Sequence, residues 1–205
     1  MRISDDRYNR DRLRHDLALR MIRHEARTCT IRTWTGLTDD RIRKLYRAYV
    51  QNEQTNPVRR HRGKSPSQVE FFLRNPATLF EALTLGSLFA LWELLATART
   101  AFARASRGTL IERGIVFCAA YETYALLHQP ARISFEHAWF LLGALTRADE
   151  LRLEGCPGCG GVLLRDRLAD RRGNCTQCRS ARAVVSVIAS NAPAGKQFEL
   201  WEPIG

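Results

Sequence analysis

Apolar side chains recur at helical intervals over most of the chain, and their pattern predicts a mainly α-helical protein. The first predicted helix, in DRLRHDLALRMIRHEAR, has one apolar face, which carries Leu13, Leu17, Met21 and Ile22. In residues 79–95 the apolar positions surround the helix, so that helix must be covered on every side. Two further helical patterns, residues 110–127 and 135–151, complete a helical body.

A glycine separates two helical patterns near the N-terminus and indicates a helix-turn-helix. Gly36 precedes Thr38, a suitable N-cap, and Asp39 and Asp40 complement the dipole of the following helix. Three apolar residues fall where the second helix would pack on the first: Leu37, Ile42 and Leu45. Four polar residues fall on the face that such a helix presents to the DNA major groove: Thr38, Arg43, Lys44 and Arg47. An ordinary pair of helices joined at a glycine is the alternative.

Changes in composition divide the chain into five regions. Residues 1–56 form the helical, helix-turn-helix-like region, residues 57–66 a basic linker, and residues 67–152 the helical body. Residues 153–190 form a small cysteine module, in which RAVVSVIA is typical of a strand, and residues 191–205 form a tail. The linker carries four of the residues that we expect to reach phosphates: Arg59, Arg60, Arg62 and Lys64.

Four of the six cysteines lie in the module, in the spacing C-x₂-C-x₁₅-C-x₂-C. They are Cys156, Cys159, Cys175 and Cys178. Two residues between cysteines let one tight turn aim both thiolates at one ion, and two such turns complete a tetrahedron. The pattern predicts one structural Zn²⁺ per chain in a zinc-ribbon-like module; an iron–sulfur cluster is the alternative. Four cysteine ligands leave no open position for water, so the ion is not expected to be catalytic.

Positive charge is concentrated in the first third of the chain and indicates an acidic partner. The whole chain carries a net charge of +11, and residues 1–64 hold 17 Lys and Arg against 8 Asp and Glu. Such a field attracts phosphate backbones. Six arginines around the cysteines suit phosphate contacts as well, unless they only solvate a loop: Arg165, Arg167, Arg171, Arg172, Arg179 and Arg182.

The sequence lacks the motifs that several classes of function require. The longest charge-free run in the central region, residues 82–92, is too short to span a bilayer. The N-terminal residues lack the apolar core of a signal peptide, so we expect a soluble, cytoplasmic protein without membrane contact. The five histidines form no metalloprotease pattern, and no phosphate-binding loop or nucleophile elbow is present; we expect no enzyme and no catalytic residue. Cys29 and Cys118 are predicted to be small buried residues.

The order of GLTDDRIRKLYRAY, a basic linker, an apolar helical body and CPGCGG...CTQC resembles the FlhC family, subunits of the bacterial flagellar master activator. The resemblance covers roughly residues 15–185. It implies a helical protein that forms a heterohexamer with FlhD, binds promoter DNA, acts with RNA polymerase and switches on flagellar promoters. It also implies that the four module cysteines are the zinc ligands. A diverged paralogue with other target promoters remains compatible with it.

Two other functional classes fit the same charge. A zinc-ribbon RNA-binding or translation-associated protein would also use a basic surface and a metal module. A pure interaction scaffold would carry its arginines only as solvated surface. The sequence therefore favours a DNA-binding activator subunit, with RNA binding as the alternative.

Overall fold

The computed structural model describes residues 2–52, 58–61, 63–95, 108–168, 175 and 177–178, with side chains in the first segment described for residues 7–48. In this part of the chain seven helices are followed by one two-stranded sheet. The helices are α1 (Arg2–Arg23), α2 (Thr28–Thr35), α3 (Asp39–Asn52), α4 (Glu70–Leu73), α5 (Pro76–Leu91), α6 (Leu110–Leu127) and α7 (Phe135–Arg147). The strands are β1 (Leu151–Gly155) and β2 (Val162–Asp166), which pair with each other.

The N-terminal helices α1, α2 and α3 pack against one another. On α1 the predicted apolar face is buried at Leu17, Met21 and Ile22, whereas Leu13 is 41% exposed. This helix also begins well before the predicted stretch, at Arg2. Tyr46 on α3 donates its buried hydroxyl to the carbonyl oxygen of Ala26, and this bond fixes α3 against the turn between α1 and α2.

The turn between α2 and α3 has the predicted form. Gly36 ends α2 with a φ of 68°, in the left-handed region that glycine adopts without strain, and its N–H donates to the carbonyl of Arg32 at 2.8 Å. Thr38 Oγ1 accepts the N–H of Arg41 at 3.4 Å, as expected of a cap. Of the three predicted packing residues, Leu37 and Ile42 are buried and Leu45 is half-buried against the same core.

Helices α5, α6 and α7 form the rest of the helical body. Local caps start each of them: Asn75 caps α5, Ser134 caps α7, and Thr109 with Glu112 forms a reciprocal capping box on α6. The bounds predicted for α6 are confirmed. None of the helices in the described ranges has the length and apolar character that a membrane span requires.

The predicted end of α7, at residue 151, is wrong. The helix ends at Arg147, Ala148 adopts a left-handed φ of 53°, and Leu151 begins β1. Arg167, just after β2, donates from its backbone N–H to the carbonyl of Glu150 and from Nη1 to the carbonyl of Ala148, both at 2.8 Å. Because Arg167 occupies the carbonyl oxygens of Ala148 and Glu150, these bonds favour the strand over continuation of the helix.

The chain forms two compact units. The first comprises Met1–Glu154 and Leu164–Asp170, and it therefore includes the regions assigned above to the N-terminal helices, the linker and the body. Within this unit α1 and α2 pack on α6, so one apolar core serves all three regions. The second unit comprises Gly155–Leu163 and Arg171–Gly205. The predicted strand RAVVSVIA and the tail lie outside the described residues.

Candidate metal centre and basic surface

The four module cysteines lie together in the second unit. All four Sγ atoms are within 4.8 Å of one another. Cys156 Sγ is 4.0 Å from Cys178 Sγ, and Cys159 Sγ is 3.7 Å from Cys175 Sγ. A tetrahedral ion with metal–sulfur bonds of about 2.3 Å places its ligands about 3.8 Å apart. The four cysteines are therefore close enough to hold a metal ion.

Short-range backbone bonds shape the first cysteine pair into a turn around its sulfurs. Cys156 N–H donates to the carbonyl of Gly161 at 2.7 Å, and Gly160 N–H donates to the carbonyl of Cys156 at 2.8 Å. Gly160 has a φ of 71°, which a side chain would strain. This closed turn explains the glycine at position 160.

Backbone amides also donate to the sulfurs themselves. Cys156 Sγ accepts the N–H of Cys175 at 3.2 Å and that of Gly158 at 3.4 Å, and Cys175 Sγ accepts the N–H of Cys178 at 3.3 Å. The Cys175 amide, followed by those around the first turn, lowers the pKa of Cys156 to about 6. Hydrogen bonding to Cys175 and Cys159, with the nearby Cys156 charge, raises the pKa of Cys178 to about 12. A cation bound between the four sulfurs would favour the thiolate form that a metal ligand needs.

The predicted DNA-facing residues of α3 share an exposed face. Thr38, Arg43, Lys44 and Arg47 are all exposed. Arg43 Nη1 lies 2.8 Å from Asp40 Oδ1. Lys44 and Arg47 form no ion pair with any described residue, so their charges remain available. Asp39 is paired with Arg32 at 3.2 Å, which reduces the negative charge at the start of α3.

The basic linker lies along the turn between α1 and α2. Glu25 anchors it, accepting the N–H of Arg59 at 3.1 Å and contacting His61 Nε2 at 2.6 Å. Arg60 reaches Thr28 Oγ1 at 3.4 Å, and its guanidinium lies 5.7 Å from the ring centre of Tyr46. Glu25 thus holds the linker by the backbone of Arg59, and the guanidinium of Arg60 lies beside Tyr46 of α3. Lys64 is exposed, and Arg62 lies outside the described residues.

The arginines of the cysteine region differ in their surroundings. Arg165 is only 17% exposed, and its Nε lies 2.9 Å from Glu154 Oε2, so it fastens β2 to β1. Arg167 is exposed but donates to the carbonyl of Ala148. Neither arrangement was foreseen from the sequence. The other four predicted contacts lie outside the described residues: Arg171, Arg172, Arg179 and Arg182.

The two remaining cysteines behave differently from each other. Cys118 is fully buried, as predicted, and burial raises the pKa of its thiol to about 12. Cys29 is only half-buried, and its Sγ lies 3.7 Å from Ser65 Oγ in the linker. The prediction of a buried residue is therefore correct for Cys118 and only partly so for Cys29.

Sequence reasoning missed a group of basic residues around a cavity in the helical unit. Arg27 precedes α2, Arg74 lies between α4 and α5, and His137 belongs to α7, and all three line the cavity with Lys64 of the linker. No spacing pattern links these positions, so only the fold could reveal them.

The chain was compared with protein-family models and with curated proteins, and neither comparison found a significant match.

Proposed function

We propose that the chain is a DNA-binding subunit of a transcriptional activator of the FlhC kind, which acts with FlhD at flagellar promoters. The observation that carries this proposal is the exposed cationic face of α3 in a glycine-joined helix pair. Lys44 and Arg47 are unpaired there within the described residues, and the anchored linker adds Arg59 and Arg60 nearby.

The shape and charge of this face suit a duplex. The major groove, about 12 Å wide, admits one α-helix, and the second helix of a helix-turn-helix enters it through its N-terminal residues. Those positions here are Thr38, the cap just before α3, and Arg43 on α3. Lys44, Arg47 and the linker arginines would then lie toward the phosphates, which fix the protein on the duplex.

We assign the metal in the cysteine module as Zn²⁺, one ion per chain. Sulfurs within 4.8 Å of one another support a single tetrahedral ion, because the ligands of a multi-iron cluster bind different irons and lie farther apart. When bound, zinc supplies the folding free energy of a module with little apolar core. Cys156, Cys159, Cys175 and Cys178 fill its coordination, so its role is structural.

The partner surface is proposed on the exposed apolar residues of α5 and α6. Phe80 is 64% exposed, Leu126 74%, and Leu127 63%. The ring of Phe80 packs against that of His128, just after α6, so these residues belong to neighbouring parts of the body. Large exposed apolar side chains favour a protein partner, and we place FlhD there in a heterohexamer. Contact with RNA polymerase belongs to the same proposal.

Binding of the co-purified complex with FlhD to a flagellar promoter duplex tests the proposal. Fluorescence anisotropy at about 50 and 200 mM salt should show an affinity that falls steeply, because each phosphate contact releases counterions. Lys44→Gln and Arg47→Gln should each weaken binding. Each should also reduce the slope of log affinity against log salt concentration by about one, the value expected for one lost phosphate contact. Arg12→Gln is the matched control, an equal charge change at an exposed position of α1.

The competing functions predict different results in the same assay. Tighter binding to a structured RNA than to the promoter would overturn the DNA proposal in favour of RNA binding. Absence of nucleic-acid binding by the intact complex would leave a scaffold. Equal losses in Lys44→Gln and Arg12→Gln would remove α3 as the contact surface.

A further inference from the structure

A cavity of about 490 Å³ opens in the helical unit where the linker passes α4 and α7. Its volume is within the range of small-molecule sites, about 300–1,000 Å³. Six residues give it its chemical character: Arg27, Lys64, Ser65, Ser67, Arg74 and His137. They come from the start of α2, the linker, the α4–α5 junction and α7, so the cavity exists only in the folded unit.

Three cationic side chains line this cavity, and they differ in whether a carboxylate lies near them. Arg27 is fixed in place: its Nη1 donates to the carbonyl of Gly63 at 2.6 Å, and its Nε lies 3.9 Å from the buried carboxylate of Glu136. Lys64 and Arg74 form no ion pair with the described residues. One lining carboxylate, Glu70, opposes them. The cavity thus keeps an excess of positive charge.

His137 contributes an imidazole ring to the lining of the cavity. Its Nδ1 is 2.8 Å from Ser134 Oγ, and its ring stacks on Phe71 with 4.1 Å between centroids. Burial, and then the charges of Arg74 and Arg27, lower the pKa of His137. The neutral form of the His137 imidazole is therefore favoured in the cavity.

Polar and apolar groups lie side by side in the lining. Ser65 and Ser67 offer hydroxyl donors next to the cations, which suits phosphate oxygens. Phe71 and Pro66 give an apolar surface, and the Arg74 guanidinium lies 4.7 Å from the Phe71 ring centre. A phosphate alone would not contact Phe71 and Pro66, and it would fill only a small part of the cavity volume.

We propose that this cavity binds a small phosphomonoester whose organic part contacts Phe71 and Pro66, such as a nucleoside monophosphate. Lys64, Arg74 and the serine hydroxyls would hold the phosphate, and Phe71 and Pro66 would contact the body of the ligand. None of the residues that line the cavity belongs to α3, although Lys64 is also one of the linker residues predicted to reach DNA phosphates. It would give the protein a small-molecule ligand that the function proposed above does not require.

Calorimetric titration of the purified, metal-containing complex with AMP, inorganic phosphate and adenosine tests this proposal. AMP should bind saturably and more tightly than either fragment. Lys64→Gln and Arg74→Gln should each weaken AMP binding about tenfold, the effect of losing one charge-assisted hydrogen bond. Glu70→Gln should tighten it, because the opposing charge is removed. Arg12→Gln should leave it unchanged.

The opposite signs expected for Arg74→Gln and Glu70→Gln separate charge recognition from general damage to the fold. A second readout is the pKa of His137 by NMR, which should rise when AMP binds beside the ring. Four outcomes overturn the proposal: no saturable AMP binding, phosphate binding as tightly as AMP, equal losses in Arg12→Gln, or dependence on Lys64 and Arg74 for a DNA duplex but not for AMP. The last would assign the cavity to the DNA surface.

Discussion

Arg20 on α1 holds Glu122 on α6 through two contacts, Nε to Oε1 at 2.8 Å and Nη2 to Oε2 at 2.6 Å. His24 Nε2 approaches the same carboxylate at 2.8 Å. The Arg20 hydrogen bonds, against the opposing effect of burial, lower the pKa of Glu122 to about 2. This ion pair connects the helix that supports α3 with the helical body.

Glu122→Gln should lower the free energy of unfolding at pH 7 by about 1 kcal/mol, a value that allows for solvent screening of a partly exposed pair. The native pKa lies below the unfolded one, so the charge stabilises the fold above about pH 4.5, and this stabilisation is lost as the pH falls toward 2. Urea unfolding between pH 7 and 3 should therefore show a flatter profile for Glu122→Gln. Asp16→Asn, an exposed neutralisation on α1, should keep the parent profile. Parallel profiles for Glu122→Gln and the parent would contradict this.

A buried carboxylate on α7 secures the start of α2. Glu136 is 5% exposed and accepts the N–H of Arg27 at 2.7 Å and the hydroxyl of Thr30 at 3.0 Å. Glu136→Ala should cost about 2–3 kcal/mol, because it leaves buried donors without an acceptor. Thr30→Val removes a single donor and should cost less. Chemical denaturation measures both, and a larger loss for Thr30→Val would refute the assignment of Glu136 as the anchor.

Two glycines should respond in opposite ways to alanine. Gly36→Ala should destabilise the protein by about 1–2 kcal/mol, because its φ of 68° is strained for a residue with a Cβ. Gly143→Ala, inside α7, should stabilise by up to about 1 kcal/mol, because its added Cβ meets only the flexible end of Arg147 at 3.3 Å. Thermal unfolding of the two variants gives the comparison. A stabilised Gly36→Ala would mean that the α2–α3 turn differs from the one described.

The metal prediction concerns Cys175. Cys175→Ser removes one of four thiolates that share a site, so metal content should fall below one ion per chain and the C-terminal region should become sensitive to protease. Cys29→Ser, a change of the same kind outside the cluster, should keep both properties. Mass spectrometry of the native protein and limited proteolysis measure them. Full metal content together with unchanged resistance in Cys175→Ser would rule out the four-cysteine site.

The sequence predicted correctly those features of the structure that depend on residues close together along the chain. The turn at Gly36, the Thr38 cap and α6 depend on residues a few positions apart, and their prediction was confirmed. Proximity of the two sulfurs within each cysteine pair follows the same rule, because each pair is separated by only two residues.

Features that depend on distant residues were not predictable. The end of α7 depends on Arg167, and the linker is held by Glu25, a partner that no local pattern reveals. The cationic cavity combines α2, the linker, α4 and α7, so its residues show no common spacing. Arg165 was predicted to contact phosphate, and its ion pair with Glu154 depends on the pairing of β1 with β2.

The position of the four cysteines makes a bound ion a cross-link between remote parts of the chain. Cys156 and Cys159 lie between β1 and β2, whereas Cys175 and Cys178 follow β2. In the chain-entropy treatment of disulfides, closing a loop of this size restricts the unfolded chain by about 3 kcal/mol. A metal cross-link differs from a disulfide because thiol reductants do not open it. The supply of free metal, together with conditions that keep the thiolates reduced, would then determine how long the two cysteine pairs stay joined.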